Sequence, residues 1–258
     1  MKSTNKTNKT KHALCGLISG LLLLAAGTST VHAGLIYSDS FTRSGNLNGS
    51  APDVTNAPGQ TWIAANDATA TTSGSQVALD AERLAFLPVT IAGNNIYTLQ
   101  ADLNVTLTAT SNWMALGFSL NAPTTVPWHV GGHSAVAWAL EYRDISNNQE
   151  QVFGGLGSAN GQTVGNSGPG FHTYKIVLDT MAPQWTVTWY RDSVQTGSTF
   201  TYASNPTTIS HVGFGTFVDT AGAVDNFSFS EAVPEPTSAL LLLGSGAMLL
   251  LRRRRAAV

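Results

Sequence analysis

The stretch Phe171-His172-Thr173-Tyr174-Lys175-Ile176-Val177-Leu178-Asp179 decides the fold class of this chain. Tyr174, Ile176 and Leu178 share one face of an extended segment and Lys175 takes the other, the period of two that a half-buried strand imposes. Residues 179–184, with Pro183, then make a turn, because proline fixes φ and removes a donor. A second run of the same kind follows at once, Trp185-Thr186-Val187-Thr188-Trp189-Tyr190. Working outward, the same alternation recurs over residues 96–108, 113–120, 135–142, 209–218 and 224–229, with clusters of Gly, Asn, Ser and Pro between the runs. No window sustains a 3.6-residue period, and no internal repeat is evident. About a dozen short strands without a helix predict an all-β body, a two-sheet antiparallel sandwich of the jelly-roll type.

Composition narrows the class. Charged residues are 11% of the 258 residues, well under the roughly 25% of ordinary soluble domains. That excludes a nucleic-acid binder built on basic patches, and a hydrophobic content of 43% excludes a disordered chain. The formal net charge of −2 hides an asymmetry. Lys2, Lys6, Lys9, Lys11, Arg252, Arg253, Arg254 and Arg255 are eight of the 13 basic residues. Between residues 34 and 233, 5 basic residues stand against 14 acidic ones, a net of −9. Such a body suits calcium or neutral sugars better than phosphate polymers. The one cysteine, Cys15, lies in the first apolar run. Disulfides, thiolate zinc and thiol catalysis are therefore not expected of the mature chain.

Both ends read as targeting segments. Four lysines among polar residues, an apolar run over 13–26 and the small-residue site Val31-His32-Ala33 are the three parts of a secretory signal for signal peptidase. Fourteen apolar residues fall short of the ~20 that a membrane span needs. At the other end stand Val233-Pro234-Glu235-Pro236, an apolar run over 237–251, and Arg252-Arg253-Arg254-Arg255. The prolines stop a preceding strand. Fifteen helical residues cover about 22 Å, short of a ~30 Å hydrocarbon core. Gly244 and Gly246 interrupt the run as well. This predicts a short transmembrane helix that anchors the chain temporarily in the inner membrane, with the arginines holding the body outside. The expected organisation is a signal helix over 1–33, a β-sandwich domain over 34–232 and a sorting and anchor segment over 233–258.

Pro234-Glu235-Pro236, the apolar helix and the arginine cluster resemble the PEP-CTERM sorting signal. The resemblance implies processing by an exosortase in the inner membrane of a Gram-negative bacterium that makes exopolysaccharide. It also implies cleavage near those prolines and delivery to the cell surface, outer envelope or extracellular matrix. The body resembles the concanavalin A-like lectin/glucanase superfamily. Asp39-Ser40-Phe41-Thr42-Arg43-Ser44-Gly45-Asn46-Leu47-Asn48-Gly49 is similar to the opening of such domains. Phe171-His172-Thr173-Tyr174-Lys175-Ile176 and Trp189-Tyr190-Arg191-Asp192 are similar to their paired back-sheet strands, and Ala223-Val224-Asp225-Asn226-Phe227-Ser228-Phe229 to their closing strand.

Glucanases of that superfamily aim Glu-x-Asp-x-x-Glu from one strand into a cleft as nucleophile and acid. That string does not occur; the nearest approaches are Asp80-Ala81-Glu82 and Glu141-Tyr142-Arg143-Asp144. His129 and His133 have the spacing of a helical zinc pair, but Gly131 and Gly132 between them disfavour a helix and no Glu separates them. Trp128, His129 and His133 read instead as a glycine-rich binding loop, with Trp128 as a stacking platform for a sugar and the histidines as polar partners. The other reading of Trp128 is a ring that closes one end of the sandwich. Asp39, Asp225 and Asn226 come from the expected first and last strands. They are either ligands of a structural calcium, as the resemblance implies, or turn caps.

The expected function is non-catalytic: polysaccharide binding, or a structural role in an exopolysaccharide matrix, with no nucleic-acid partner. The alternative is a glycan-active hydrolase of the same superfamily.

Overall fold

In β8 (Ile96–Thr106), Tyr97, Leu99, Ala101, Leu103 and Val105 are buried while the residues between them are half-exposed. The other strands extend this pattern into two layers. The computed structural model describes residues 31–56, 58–65, 71–72, 74–79, 83–106, 112–121, 135–143, 149–155, 161–166, 168–217 and 221–234. These residues form seventeen strands and no helix. Before β8 come β1 (Val31–Asp39), β2 (Gly45–Asn46), β3 (Val54–Thr55), β4 (Ile63–Ala65), β5 (Thr71–Thr72), β6 (Val77–Leu79) and β7 (Leu84–Pro88). After it come β9 (Asn112–Ser119), β10 (Ala135–Arg143), β11 (Gln149–Gly154), β12 (Gly161–Asn166) and β13 (His172–Asp179). The chain continues through β14 (Thr186–Arg191), β15 (Val194–Thr201), β16 (His211–Phe217) and β17 (Ala221–Pro234). The strands outnumber the expected dozen because β2 to β6 are only two or three residues long, too short to show a period.

One sheet has the order β15-β14-β13-β8-β17-β6-β5-β2, with β1 pairing β17 and β3. The second is seven-stranded, in the order β12-β11-β10-β9-β16-β7-β4. Neighbours far apart in sequence, such as β8 beside β17 and β9 beside β16, make this a two-sheet jelly roll. All registers defined among the described residues are antiparallel. Residues 33–233 belong to one compact unit. Residues 1–30 and 235–258, which hold most of the expected signal (1–33) and anchor (233–258) segments, lie outside the described residues.

The core fills the space between the layers. Tyr174, Ile176 and Leu178 of β13 face it, as their spacing predicts, beside Val187 and Trp189 of β14. From the second sheet come Met114, Leu116 and Phe118 of β9, Val212 and Phe214 of β16, and Ala137 and Ala139 of β10. Burying a side chain of this size stabilises by about 1.5–3 kcal/mol. In β17 the inward residues are Val224, Phe227 and Phe229, a change of parity. A bulge between Asp225 and Ser228 makes that change, with Asn226 at φ 48°. Asn tolerates the left-handed region better than most side chains, so the extra residue fits and both flanking apolar positions point inward.

Candidate functional site

The seven-stranded sheet carries the candidate site on the face turned away from the core. The register places Phe153, Trp138, Gly117, Gly213, Phe86 and Ile63 in one row across β11, β10, β9, β16, β7 and β4. The next row runs Gln151, Leu140, Ala115, Gly215, Leu84 and Ala65. The two central strands thus supply a floor of Gly and Ala, with rings on one side and Phe86 and Leu84 on the other. The floor must be small. A Cβ on Gly213 would sit 2.0 Å from the Ala85 carbonyl oxygen, and one on Gly215 would sit 2.6 Å from the Leu84 side chain.

Trp138 stacks flat on Phe153, with ring centroids 3.9 Å apart and planes 3° apart, and tilts against Trp113 at 6.3 Å. A Cβ on Gly161 would come within 2.5 Å of the Phe153 ring, so β12 closes the far side of the stack. The face is nevertheless shielded. Trp138 is 0% exposed and Trp113 4%, and both make further contacts beyond these. His211 takes a position on the same face, at the register level of Ser119 and Pro88. Burial pushes its pKa down, favouring the neutral imidazole, and Nδ1 lies 2.7 Å from the Ser210 hydroxyl.

The strands of this sheet hold two acidic residues, Glu141 and Glu150, and both take register positions on the core side. Glu141 pairs with Met114, a core residue, and with Glu150. Glu150 is buried and accepts hydrogen bonds from the Tyr174 hydroxyl at 2.6 Å and from Arg191. It joins the two sheets and is turned away from the glycine floor.

Of the residues singled out in the sequence, Trp128, His129 and His133 lie outside the described residues, as do Asp80, Glu82 and Asp144. Glu235, Pro236 and Arg252 to Arg255 lie outside them too, and Pro234 is the last residue of β17. Asp39 departs from the calcium expectation. Its Oδ1 accepts from the Phe41 N–H at 2.9 Å and from Arg43 Nη1 at 2.7 Å, and its Oδ2 from Arg43 Nη2 and Trp62 Nε1, both at 2.7 Å. A carboxylate that is 1% exposed and holds four donors has no oxygen left for a cation. The opening motif is instead a lock. It holds Phe41 at φ 51° among Trp62 and Phe214, at the end of the core that Phe227 also closes.

Asp225 and Asn226 belong to a different network. Asn226 donates from Nδ2 to Asp102 Oδ2 at 2.8 Å, and Asp225 stands opposite Asp102 in the register. Burial, and then the Asp102 charge, raise the Asp225 pKa against a hydrogen bond from the Asn226 backbone. Among the described residues, no three His, Cys, Asp or Glu side chains converge as a metal site. Sequence reasoning missed the glycine floor and His211. The pattern Gly213-Phe214-Gly215, small against large, was the signal available.

Residues 232–255 match the PEP-CTERM protein-sorting motif. The match overlaps β17 by three residues, because Ala232 still pairs with Ile96 and the strand runs to Pro234. A search of the curated proteins found no match. Among solved structures, the chain is similar to an endo-1,3-β-glucanase from Streptomyces sioyaensis, at 12% identity and a TM-score of 0.56, over 81% of this chain and 100% of the other. A family 16 glycosyl hydrolase from Mycobacterium smegmatis matches at 10% identity and a TM-score of 0.50, over 76% and 100%. The potassium-bound carbohydrate recognition domain of Emp46p matches at 7% identity and a TM-score of 0.49, over 65% and 87%. At these identities the likeness is one of fold alone, a two-sheet jelly roll.

Proposed function

We propose that this chain is an exported, non-catalytic glycan-binding protein whose site lies over the outer face of the seven-stranded sheet. The sorting motif indicates an exported, surface-directed protein of a Gram-negative bacterium and implies processing by an exosortase. The finer reading rests on one observation. The strands of that face set shielded aromatic rings beside a glycine floor, under the connection that carries Trp128, and their acidic residues take core-side register positions. Hydrolysis needs two carboxylates flanking a glycosidic bond, and the strands supply none there. Stacking on sugar C–H faces needs rings beside a few polar groups. The chain between Asn121 and Ala135 joins β9 to β10, so it leaves from the middle of this sheet at the level of His211. Trp128, His129 and His133 belong to that connection, and Trp128 is the proposed platform.

The test is retention of the full-length protein on a panel of insoluble bacterial and plant polysaccharides, with reducing ends assayed in the same tubes. Retention without release of reducing ends is expected, and Trp128→Ala should abolish it while the melting curve stays put. Release of reducing ends at a rate above the buffer control would favour the hydrolase. For processing, the intact mass of the surface-associated protein should fit a chain that begins near Gly34 and ends near Pro234. A structural calcium, with Asp39 taken by Arg43, stays a proposal for Asp225 and Asn226. It requires melts in millimolar calcium and in chelator to differ.

A further inference from the structure

A cleft of about 300 Å³ opens where the two sheets meet, between β1 and β17 on one side and the end of β7 on the other. Its frame is fixed. The Tyr37 hydroxyl donates to the Pro88 carbonyl at 2.6 Å, the Val89 N–H to the Ser210 carbonyl at 2.8 Å, and the Asn56 N–H to the Ile36 carbonyl at 3.0 Å. Onto this frame converge Asn56, Gln60, Thr90 and Glu231. None of these four side chains is hydrogen-bonded to another described residue, and Gln60 and Glu231 are half-buried. Asn56 and Thr90 are exposed and Gln60 and Glu231 half-buried, so water serves these four groups in the open cleft and a ligand that matches them can take its place.

The chemistry of the lining selects what that is. Among the described residues, no cationic side chain lines the cleft and one carboxylate does, which disfavours phosphates, sulfates and uronates. One carboxylate is also far from the six to eight oxygens that calcium takes. Two carboxamides, a hydroxyl and a carboxylate both donate and accept, which suits a neutral ligand rich in hydroxyls. Ile36 and Val89 add an apolar wall for its C–H face. The volume is at the small end of ligand pockets, which run from ~300 Å³ upward. We propose that this cleft binds a single neutral sugar residue, at a place separate from the outer-face site.

The experiment is saturation-transfer NMR on the full-length protein in a non-glycosidic detergent. The probes are glucose, galactose, mannose and N-acetylglucosamine, titrated one at a time. At least one should give a saturable signal. Gln60→Ala and Asn56→Ala should each weaken it roughly three- to tenfold, about one hydrogen bond's worth. Glu231→Gln keeps the shape, removes the acceptor charge and should weaken it to a similar degree, while Trp128→Ala should leave it unchanged. No signal from any of the four sugars would overturn the proposal, as would equal affinity in the parent and all three cleft variants. A signal lost in Trp128→Ala and kept in Gln60→Ala would also overturn it, while supporting the outer-face reading.

Discussion

The outer faces of the two sheets are built to opposite plans. On the ten-stranded sheet, β13 alternates between buried and half-exposed residues, and Lys175 lies over the Tyr190 ring at 4.3 Å on the wet side. On the seven-stranded sheet, β7 is buried at four successive positions, Leu84 to Leu87, and Trp138 on the far side of β10 from the core is wholly shielded. A strand with one wet face keeps a period of two, whereas a strand covered on both faces loses it. The face that lost its pattern is the one over which we place the proposed site.

The largest expected effect comes from testing that shielding. Trp138→Ala should cost about 3–5 kcal/mol in denaturant unfolding although the ring faces away from the core. Lys175→Ala on the other sheet should cost under about 1 kcal/mol. Similar costs for the two would mean that both outer faces are open, and the comparison would break.

Next comes the lock at the first strand. Asp39→Asn leaves Arg43 without its buried bidentate partner and should cost about 3 kcal/mol, read as a lower urea midpoint with an unchanged slope. A shift under about 0.5 kcal/mol, that of an ordinary surface substitution, would return Asp39 to the pool of candidate ligands.

Gly213→Ala sharpens the comparison from the floor. Its Cβ would meet backbone, not a flexible side chain, so the variant should lose about 1–3 kcal/mol. Gly93, where a Cβ meets nothing within 4 Å, should take alanine within about 0.5 kcal/mol in the same unfolding measurement.

The smallest effect is one of pH, on the wet side. Burial works to raise Asp192, but hydrogen bonds from His172 and the Thr173 N–H, with the charges of His172 and Arg191, hold it below its ordinary 3.8. Burial likewise works to raise Asp53, but the Ser40 hydroxyl and N–H and the Arg43 charge hold it down. A depressed carboxylate stabilises the fold above its unfolded pKa, and that stability is lost as pH falls through the folded value. Tm should therefore decline below about pH 4, and Asp192→Asn should flatten part of that decline. An unaltered acid limb in the variant would remove Asp192 from the account.

Legibility followed the same division. β8, β9, β10, β13, β14 and β16 stand where runs of alternation place them, within two residues at most ends. β7, β11, β12 and β15 gave no such signal. β7 is buried on both faces, and β15 (Val194–Thr201) is an edge strand of mostly exposed small polar residues. In the last strand, strict alternation from Val224 would turn Phe227 and Phe229 outward. The bulge at Asn226 reverses this, and it takes the pairing with β8 to show where the extra residue goes.

The sequence by itself determined the all-β class, the acidic body and the sorting tail, because each is written in local features: a period of two, a charge count, and prolines, an apolar run and arginines in order. Only the tertiary structure decided the roles of single side chains. Asp39 looked like an oxygen ligand until Arg43 and Trp62 were seen to fill its lone pairs. Glu150 became a tie between sheets because β11 faces β13 and β14 across the core. Gly117, Gly213 and Phe86 form one row only because β9, β16 and β7 lie side by side in that order, across sequence gaps of more than 30 residues. Local periodicity is fixed by backbone geometry over a few residues, whereas which polar atom is satisfied, and by what, depends on contacts between strands distant in the chain.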